Sequence, residues 1–292
     1  MLKKCPRPNC PSLHFRKYGT YTRLAECKVV QRWRCNLCKL HFSSPTLTPT
    51  YRQKKRRANP LVARLLSSGV SMRRTALLLS IHRITVARKL AFLAHQAKEQ
   101  HTRYLATLPK VKDVQFDDLI TSEHTQCKPL AISLAVEAST RRILGCEVSR
   151  IPASGLLAEI SRRKYGRRPN QRPAALQRLF DRIRSALDEG VSFRSDEDPL
   201  YERVIRRNFP GAVHHRHPGG RGCVTGQGEL KKLRFDPLFS LNHTCAMLRA
   251  NINRLFRRTW CTTKKMEHLE EHLAVYMDFH NHVLLGGSAT VG

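Results

Sequence analysis

The chain has 292 residues, 41 % of them hydrophobic, and carries 53 Lys and Arg against 22 Asp and Glu, a formal net charge of +31. That apolar content excludes a disordered tail, the length leaves room for more than one domain, and no run of 18 apolar residues exists to cross a membrane. The charge predicts a polyanionic partner, because neutralising phosphates releases condensed counterions and gives strong, salt-dependent binding. It is unevenly spread: residues 1–112 hold 25 Lys and Arg with only Glu26 and Glu99 as acids, a net +23, and the remainder holds +8. Behind Met1-Leu2-Lys3-Lys4-Cys5-Pro6 no apolar segment of a signal peptide follows. A cytoplasmic protein is expected, nucleoid-associated if bacterial, and its close cysteine pairs read as metal ligands rather than disulfides.

Residues 1–48 read as a zinc ribbon. Cys5-Pro-Arg-Pro-Asn-Cys10 and Cys35-Asn-Leu-Cys38 are two paired-cysteine turns separated by β-prone segments at Phe15–Arg23 and Val29–Arg34. Four thiolates brought together by such strands suit tetrahedral, structural Zn²⁺, and so small a module depends on its metal to fold. The first spacing is longer than the commonest ribbon, which leaves Cys27, His14 and His41 as substitute ligands.

Residues 49–108 read as a basic linker and an all-α helix-turn-helix. Ser43–Pro49 and Arg52-Gln-Lys-Lys-Arg-Arg57 predict a flexible, charged connector. A first helix through Leu61, Leu65 and Leu66 stops at Gly69. A second, capped by Ser71, runs to Ile81 with Arg73 and Arg74 in its first turn. A third spans about Ile84 to Gln96, with Val86, Leu90 and Leu93 on one face. Ser80 stands where a turn of this kind usually has Gly. This arrangement would offer Arg73, Arg74, His82, Arg83, Thr85, Arg88 and Lys89 to a DNA groove.

After Pro109 the pattern turns strand-like. Val111–Thr121, Leu130–Glu137 and Arg142–Val148 predict three consecutive strands, followed by helices at Ala153–Lys164 and Ala174–Asp188. A strand at Val191–Ser195, a helix at Pro199–Phe209 and a strand at Ala212–His217 come next. A Gly-rich stretch, Pro218–Gly228, precedes a long helical region from about Pro237 to Val283, in which Trp260 and Tyr276 are expected to pack. Residues 286–292 read as a disordered tail. Acids are scarce, yet Val114-Gln-Phe-Asp117-Asp118 and Phe193-Arg-Ser-Asp196-Glu197-Asp198 both end a strand on carboxylates. Carboxylates so placed either pair with neighbouring Arg or hold Mg²⁺, a hard cation bound through one or two carboxylates and substrate phosphates. His214-His-Arg-His217 offers at most two convergent rings, since alternate residues of a strand face opposite ways. These histidines read as exposed and phosphate-facing.

The cysteine ribbon, the helical segment, Phe-Asp117-Asp, Asp196-Glu-Asp-Pro-Leu-Tyr201-Glu and Leu241-Asn-His-Thr-Cys-Ala-Met-Leu-Arg249-Ala-Asn-Ile-Asn-Arg-Leu-Phe-Arg-Arg-Thr259 together resemble DDE-type transposases of bacterial insertion sequences that carry an N-terminal zinc ribbon. The likeness extends to about Leu285. It implies that residues 109–285 form an α/β ribonuclease-H-like catalytic domain with a helical C-terminal extension. It also implies that Asp117 and Asp196 are ligands for catalytic Mg²⁺, two ions in all, and that a third ligand opens the last long helix seven residues before a basic side chain. Counting back from Arg249 gives Asn242, not the family's Glu. The implied activity is Mg²⁺-dependent strand cleavage and transfer on double-stranded DNA, element ends and target alike. A dimer or higher oligomer would assemble on the DNA, and Arg257 and Arg258 would lie along its path. With a neutral third ligand, Asp118, Glu197 or Asp198 would supply the missing charge. Otherwise the chain is a degenerate, transposase-derived DNA-binding regulator, or a structure-selective nuclease on the same fold.

Overall fold

In a computed structural model, residues 4–23, 27–218, 236–256 and 259–286 are described, and the chain divides into two compact units, 1–58 and 59–292. The first is a three-stranded antiparallel sheet, β1 (Phe15–Arg23), β2 (Lys28–Cys35) and β3 (His41–Ser43), in that order. Its apolar centre is small: Phe15 meets Phe42 edge-on at 5.2 Å, and both lie against the cysteines. The third strand is short and was not anticipated. Ser43–Pro49, expected as loop, contains a 3₁₀ turn at Ser44–Leu47, closed by Ser43 and Thr46 reciprocally.

The second unit is mixed α/β. Its sheet runs β6 (Ile143–Arg150), β5 (Pro129–Glu137), β4 (Val111–Ser122), β7 (Leu187–Asp196), β8 (Val213–His217), with the first two pairings antiparallel and the last two parallel. β5 is buried through all seven interior positions, as a strand covered on both faces must be. One face carries α5 (Arg172–Ile183) and α6 (Pro199–Asn208), the latter with Tyr201, over Phe116 and Phe193. The other carries α7 (Phe239–Asn251) and α8 (Met266–Phe279) over Leu119, Ile132 and Leu134. Gly145 of β6 permits the approach of α5, since a Cβ there would sit 2.8 Å from Leu179 Cδ1.

Several boundaries shift for identifiable reasons. Gly155, with φ at +58°, delays α4 to Leu157–Tyr165. The helix expected to reach Asp188 ends at Ile183, and Leu187 opens β7 instead, paired with Val111. The C-terminal helical region is two helices joined by 3₁₀ turns. Tyr276 is buried beneath them, but Trp260 is 73 % exposed. The Gly-rich stretch beyond Pro218, Arg257, Arg258 and the tail from 287 lie outside the described residues. Among the described residues, no helix is long and apolar enough to cross a membrane.

The helices α1 (Asn59–Leu66), α2 (Met72–Leu78) and α3 (Arg83–Thr107) belong to the second unit. α3 outruns its predicted end by eleven residues because its buried stripe continues through Ala94, Ala97, His101 and Leu105 until Pro109. This stripe of Ala and His lacks the bulk that marks a helix face. Three buried histidines fasten the layers, their Nε2 atoms donating to the carbonyls of Leu144 (His101, 2.8 Å), Leu66 (His272, 2.8 Å) and Arg141 (His280, 3.0 Å). Burial lowers the pKa of all three, His272 to about 4. Unfolded histidine titrates near 6.5, so the unfolded chain takes up protons first as pH falls. Their contribution to stability is therefore intact above pH ~6.5 and lost towards pH ~4. Denaturant unfolding of the full chain should show stability falling across that window. The slope should be visibly shallower in His272→Gln, whose side chain cannot charge.

Candidate functional site

Two constellations emerge, one in each unit. In the first, the Sγ atoms of Cys5, Cys10, Cys35 and Cys38 all lie within 4.8 Å of one another, Cys5–Cys38 at 3.5 Å and Cys10–Cys35 at 3.8 Å. Sulfurs ~2.3 Å from a shared tetrahedral ion stand about 3.8 Å apart. The four can therefore hold a metal ion such as zinc. Cys27 is exposed in a turn, His14 is exposed, and His41 lies against Tyr18 with ring centroids 4.1 Å apart, so the substitute ligands stay outside the cluster. Charge is shared unequally among the thiols. Burial drives Cys5 up to about 12. Cys35 is also pushed up by burial, but hydrogen bonds from the Cys38 backbone, Ser12 and the Leu37 backbone outweigh this and hold it near 6. Zinc would be structural here. Chelation should release about one equivalent, measured with a chromogenic indicator. Cys38→Ser should abolish that equivalent and the dispersed amide resonances of residues 4–43.

The second constellation comes from strand pairing. β4 and β7 are parallel, with Val114 opposite Phe193 and Gln115 opposite Arg194. Two residues further along each strand stand Asp117 and Asp196. Side chains on paired positions of parallel strands leave the sheet on the same side, so 78 intervening residues separate carboxylates that are neighbours in space. Asp117 Oδ1 accepts from the Asp118 N–H at 2.7 Å and from the Tyr201 hydroxyl at 2.9 Å. Asp196 Oδ1 accepts from the Asp198 N–H at 3.0 Å. Among the described residues the second oxygen of each receives no hydrogen bond. Among the described residues neither carboxylate pairs with an arginine.

Their neighbours are treated differently. Asp118 leaves the opposite face of β4, where Ser133 and the Arg172 Nε donate to it. The same guanidinium reaches Asp198 Oδ2 at 2.7 Å and lies 4.9 Å over the Tyr201 ring. Asp198 also caps α6, accepting from Leu200 N–H at 2.8 Å. Arg172 thus consumes the charge of Asp118 and Asp198, and Glu197 is exposed with its backbone carbonyl held by Arg216. Two of the three acids expected to supply charge to a shared cation, Asp118 and Asp198, are thus engaged by Arg172, while the third, Glu197, stands exposed.

α7 is fixed against β4 by a residue that sequence reasoning passed over. Gln115, 4 % exposed, donates from Nε2 to Pro237 O at 3.0 Å and accepts Leu241 N–H on Oε1 at 2.9 Å. A side-chain amide buried in a strand between Val114 and Phe116 was the available signal, since such a group must be satisfied. Leu241, Thr244 and Leu248 bury into the core. Asn242, Cys245 and Arg249, at i, i+3 and i+7, share the adjoining face. Burial first and the charge of Asp117 second raise the Cys245 thiol to about 12 against the pull of Arg249, so this face lies beside Asp117. Asn242 is exposed, and its Nδ2 donates to Asp236 Oδ2 at 2.9 Å.

Of the β8 histidines, His215 is exposed as read, whereas His214 and His217 depart from that reading. His214 turns inward, with Nε2 2.9 Å from Ser195 Oγ and its ring stacked on Phe116 at 5.9 Å. His217 pairs in register with Asp196 and has a buried Nε2 with no partner among the described residues. In the helical segment Arg73, Arg74, His82, Arg83 and Arg88 are exposed and Thr85 half-buried. Ser71 caps α2 through Arg74 N–H at 3.3 Å, His82 caps α3 through Ile84 N–H at 3.2 Å, and Ser80 adopts φ +49° in the turn between them. Lys89 does not join the exposed face: it is 2 % exposed, its ammonium tied to Asn59 Oδ1 at 2.6 Å beneath α1. Its spacing put it one residue past Arg88 and so about 100° around the helix, towards the core.

No protein-family model matches this sequence, and neither does any curated protein. The chemistry of the site therefore rests on its geometry. Asp117 is raised from 3.8 to about 6, first by burial and then by the charge of Asp196, against the pull of its hydrogen bonds. A carboxyl whose folded pKa lies above its unfolded value makes its charged form a liability once pH exceeds the folded pKa. Asp117→Asn retains an acceptor for Tyr201 and carries no charge. In metal-free buffer at pH 7.5 it should raise unfolding free energy by about 1–3 kcal/mol. The gain should disappear by pH ~4, where the wild-type carboxyl is protonated.

Proposed function

We propose that this chain is a DNA transposase, with a structural zinc ribbon, a helix-turn-helix that engages element ends, and a Mg²⁺-dependent site for strand cleavage and transfer on a ribonuclease-H-like sheet. The observation that carries this reading is the β4–β7 register, which sets Asp117 and Asp196 side by side, each with one oxygen that no described residue engages. The strand order β6-β5-β4-β7-β8, with three antiparallel strands followed by two parallel ones, supports the fold assignment.

The donor set suits the ion. Two carboxylates and the amide oxygen of Asn242 are hard oxygen ligands, the kind Mg²⁺ takes. Bound there, Mg²⁺ would stabilise the attacking and leaving oxygens of an in-line phosphoryl displacement. The chain's own residues do the rest. Tyr201 and the Asp118 backbone fix the Asp117 carboxylate, and the Asp198 backbone fixes that of Asp196. Gln115 sets the start of α7. Arg249, two turns along the same face, stands where a phosphate of the strand would meet a guanidinium. Arg73, Arg74, His82, Arg83 and Arg88 on α2 and α3 contact duplex DNA, which the +31 charge attracts. Cleavage by water comes first, and the freed 3′-hydroxyl then attacks target DNA. Two ends are cut together, so the active form is at least a dimer.

The test is an assay of the purified full chain on DNA bearing the sequences that flank its coding region, with Mg²⁺ or Mn²⁺. Cleavage at the ends and joining to target DNA are expected, lost at least a hundredfold in Asp196→Asn and Asp117→Asn and maintained or raised in Asn242→Glu. End-specific binding without cleavage would replace this reading with a DNA-binding regulator. Cleavage governed by DNA structure, with no preference for those ends, would replace it with a nuclease.

A further inference from the structure

Asn242 brings no charge to the site, and the acid hydrogen-bonded to it lies six residues upstream, outside every motif singled out in the sequence. Asp236 spans the entry to α7: Oδ1 accepts Leu238 N–H at 2.9 Å, and Oδ2 accepts the Asn242 Nδ2 at 2.9 Å. A carboxylate only accepts hydrogen bonds, so the amide of Asn242 has one orientation against it. Its NH₂ faces Asp236 and its carbonyl oxygen faces away. Asn242 is exposed and lies on the helix face that also carries Cys245 and Arg249 beside Asp117. The backbone on either side is immobilised, since Gln115 holds both Pro237 O and Leu241 N–H.

We propose that Asp236 is a positioning residue for the third ligand, and that Asp236 and Asn242 together act as a divided acidic ligand in which Asn242 supplies the oxygen and Asp236 the charge. This rests on reading Asp117, Asp196 and Asn242 as a divalent-cation site. Two physical effects operate. Orientation comes first: an amide free to turn would present NH₂ to a cation as readily as C=O. Polarisation comes second, because an N–H donating to a carboxylate shifts electron density onto the amide oxygen and makes it a stronger donor. Groups that orient and polarise a metal ligand in this way typically change affinity 10- to 100-fold when removed. Arg172 has already claimed Asp118 and Asp198, which leaves Asp236 as the carboxylate in contact with the neutral ligand.

The geometry allows a test by exchange. In Asp236→Asn, Oδ1 still accepts Leu238 N–H, so the turn into the helix is kept, but an NH₂ now faces Asn242. Two NH₂ groups cannot bond, and Asn242 turns its oxygen inward and its NH₂ towards the cation. In Asp236→Asn/Asn242→Asp the same bond re-forms with reversed polarity, donated by residue 236, and position 242 again offers an oxygen. Mn²⁺ binding to the zinc-loaded full chain, followed by calorimetry and by the electron paramagnetic resonance of free Mn²⁺, reads these states without any reaction. Asp236→Asn should bind Mn²⁺ at least ~10-fold more weakly than wild type. The double variant should return to wild-type affinity or better, and melting temperature and zinc content should stay unchanged in both. Wild-type Mn²⁺ affinity in Asp236→Asn would overturn the proposal, as would a double variant as weak as the single one, or a loss matched by a fall in melting temperature. Asp196→Asn separates the two levels. If it binds Mn²⁺ like wild type, the cation site itself is wrong. If it loses binding while Asp236→Asn does not, only the role of Asp236 fails.

Discussion

The parallel pairing of β4 with β7 is the constraint on which the second unit depends. It joins residues about 80 apart in the chain, so the loop-closure entropy of the intervening segment must be overcome by what the pairing buries. The burial is substantial: Phe116, Phe180, Phe193 and Tyr201 form a connected set of edge-on aromatic contacts directly beneath it. That aromatic core fixes the register, because a slip of one residue would turn Phe193 out to the opposite face. The same register brings two carboxylates together at the strand ends. Apolar packing thus holds in place a pair of like charges that would separate if free to do so, and the charge of Asp196 adds to the burial that raises the pKa of Asp117.

Arg172 divides the acids of the site into two classes. By engaging Asp118 and Asp198 from the first turn of α5, it makes them structural and ties α5 to β4 and α6. The salt bridge is largely buried on the Asp118 side, where an unpaired charge would be severely destabilising. Asp117 and Asp196 are left with hydrogen bonds from a hydroxyl and from backbone N–H groups, which orient a carboxylate without neutralising it. Two aspartates adjacent in sequence, Asp117 and Asp118, have opposite fates because strand alternation sends them to opposite faces.

Elements with bulk and period were legible in the sequence. The five strands of the large sheet were each legible as strand-prone runs, and the cysteine spacing announced the four-thiol cluster. Capping chemistry was also legible, in Ser71 and in the Ser80 turn. What escaped notice was carried by residues with no bulk or by contacts with no local signature. The second half of α3 is buried through Ala94, Ala97 and His101. Gln115 clamps a helix 122–126 residues away. Lys89 looked like part of a basic face, but its ammonium serves Asn59 in the interior. Asp236 was invisible because its partner is defined by the turn into α7, and no spacing rule reports the direction of an amide.

α7 is anchored at both ends, and this couples the site to the helical segment. At its start stand Gln115, Asp236 and Asn242. At its end the Asn251 carbonyl accepts the Gly69 N–H at 2.7 Å, in the turn between α1 and α2. Gly69 adopts φ +76°, and a Cβ there would lie 3.2 Å from the Ala250 carbonyl, so the close approach needs a residue without one. His272 Nε2 to Leu66 O and Lys89 to Asn59 lock α1 between α8 and α3. The 13 residues of α7 span about 20 Å. The exposed arginines of α2 and α3 are therefore carried on the same rigid framework as Asp117 and Asp196, not on a tether. On the proposed reading, the distance between the base pairs that the helices engage and the phosphate that is cut is set by packing within this unit. Weakening the Gly69–Asn251 contact would then blur the position of cleavage before it lowered the affinity for DNA.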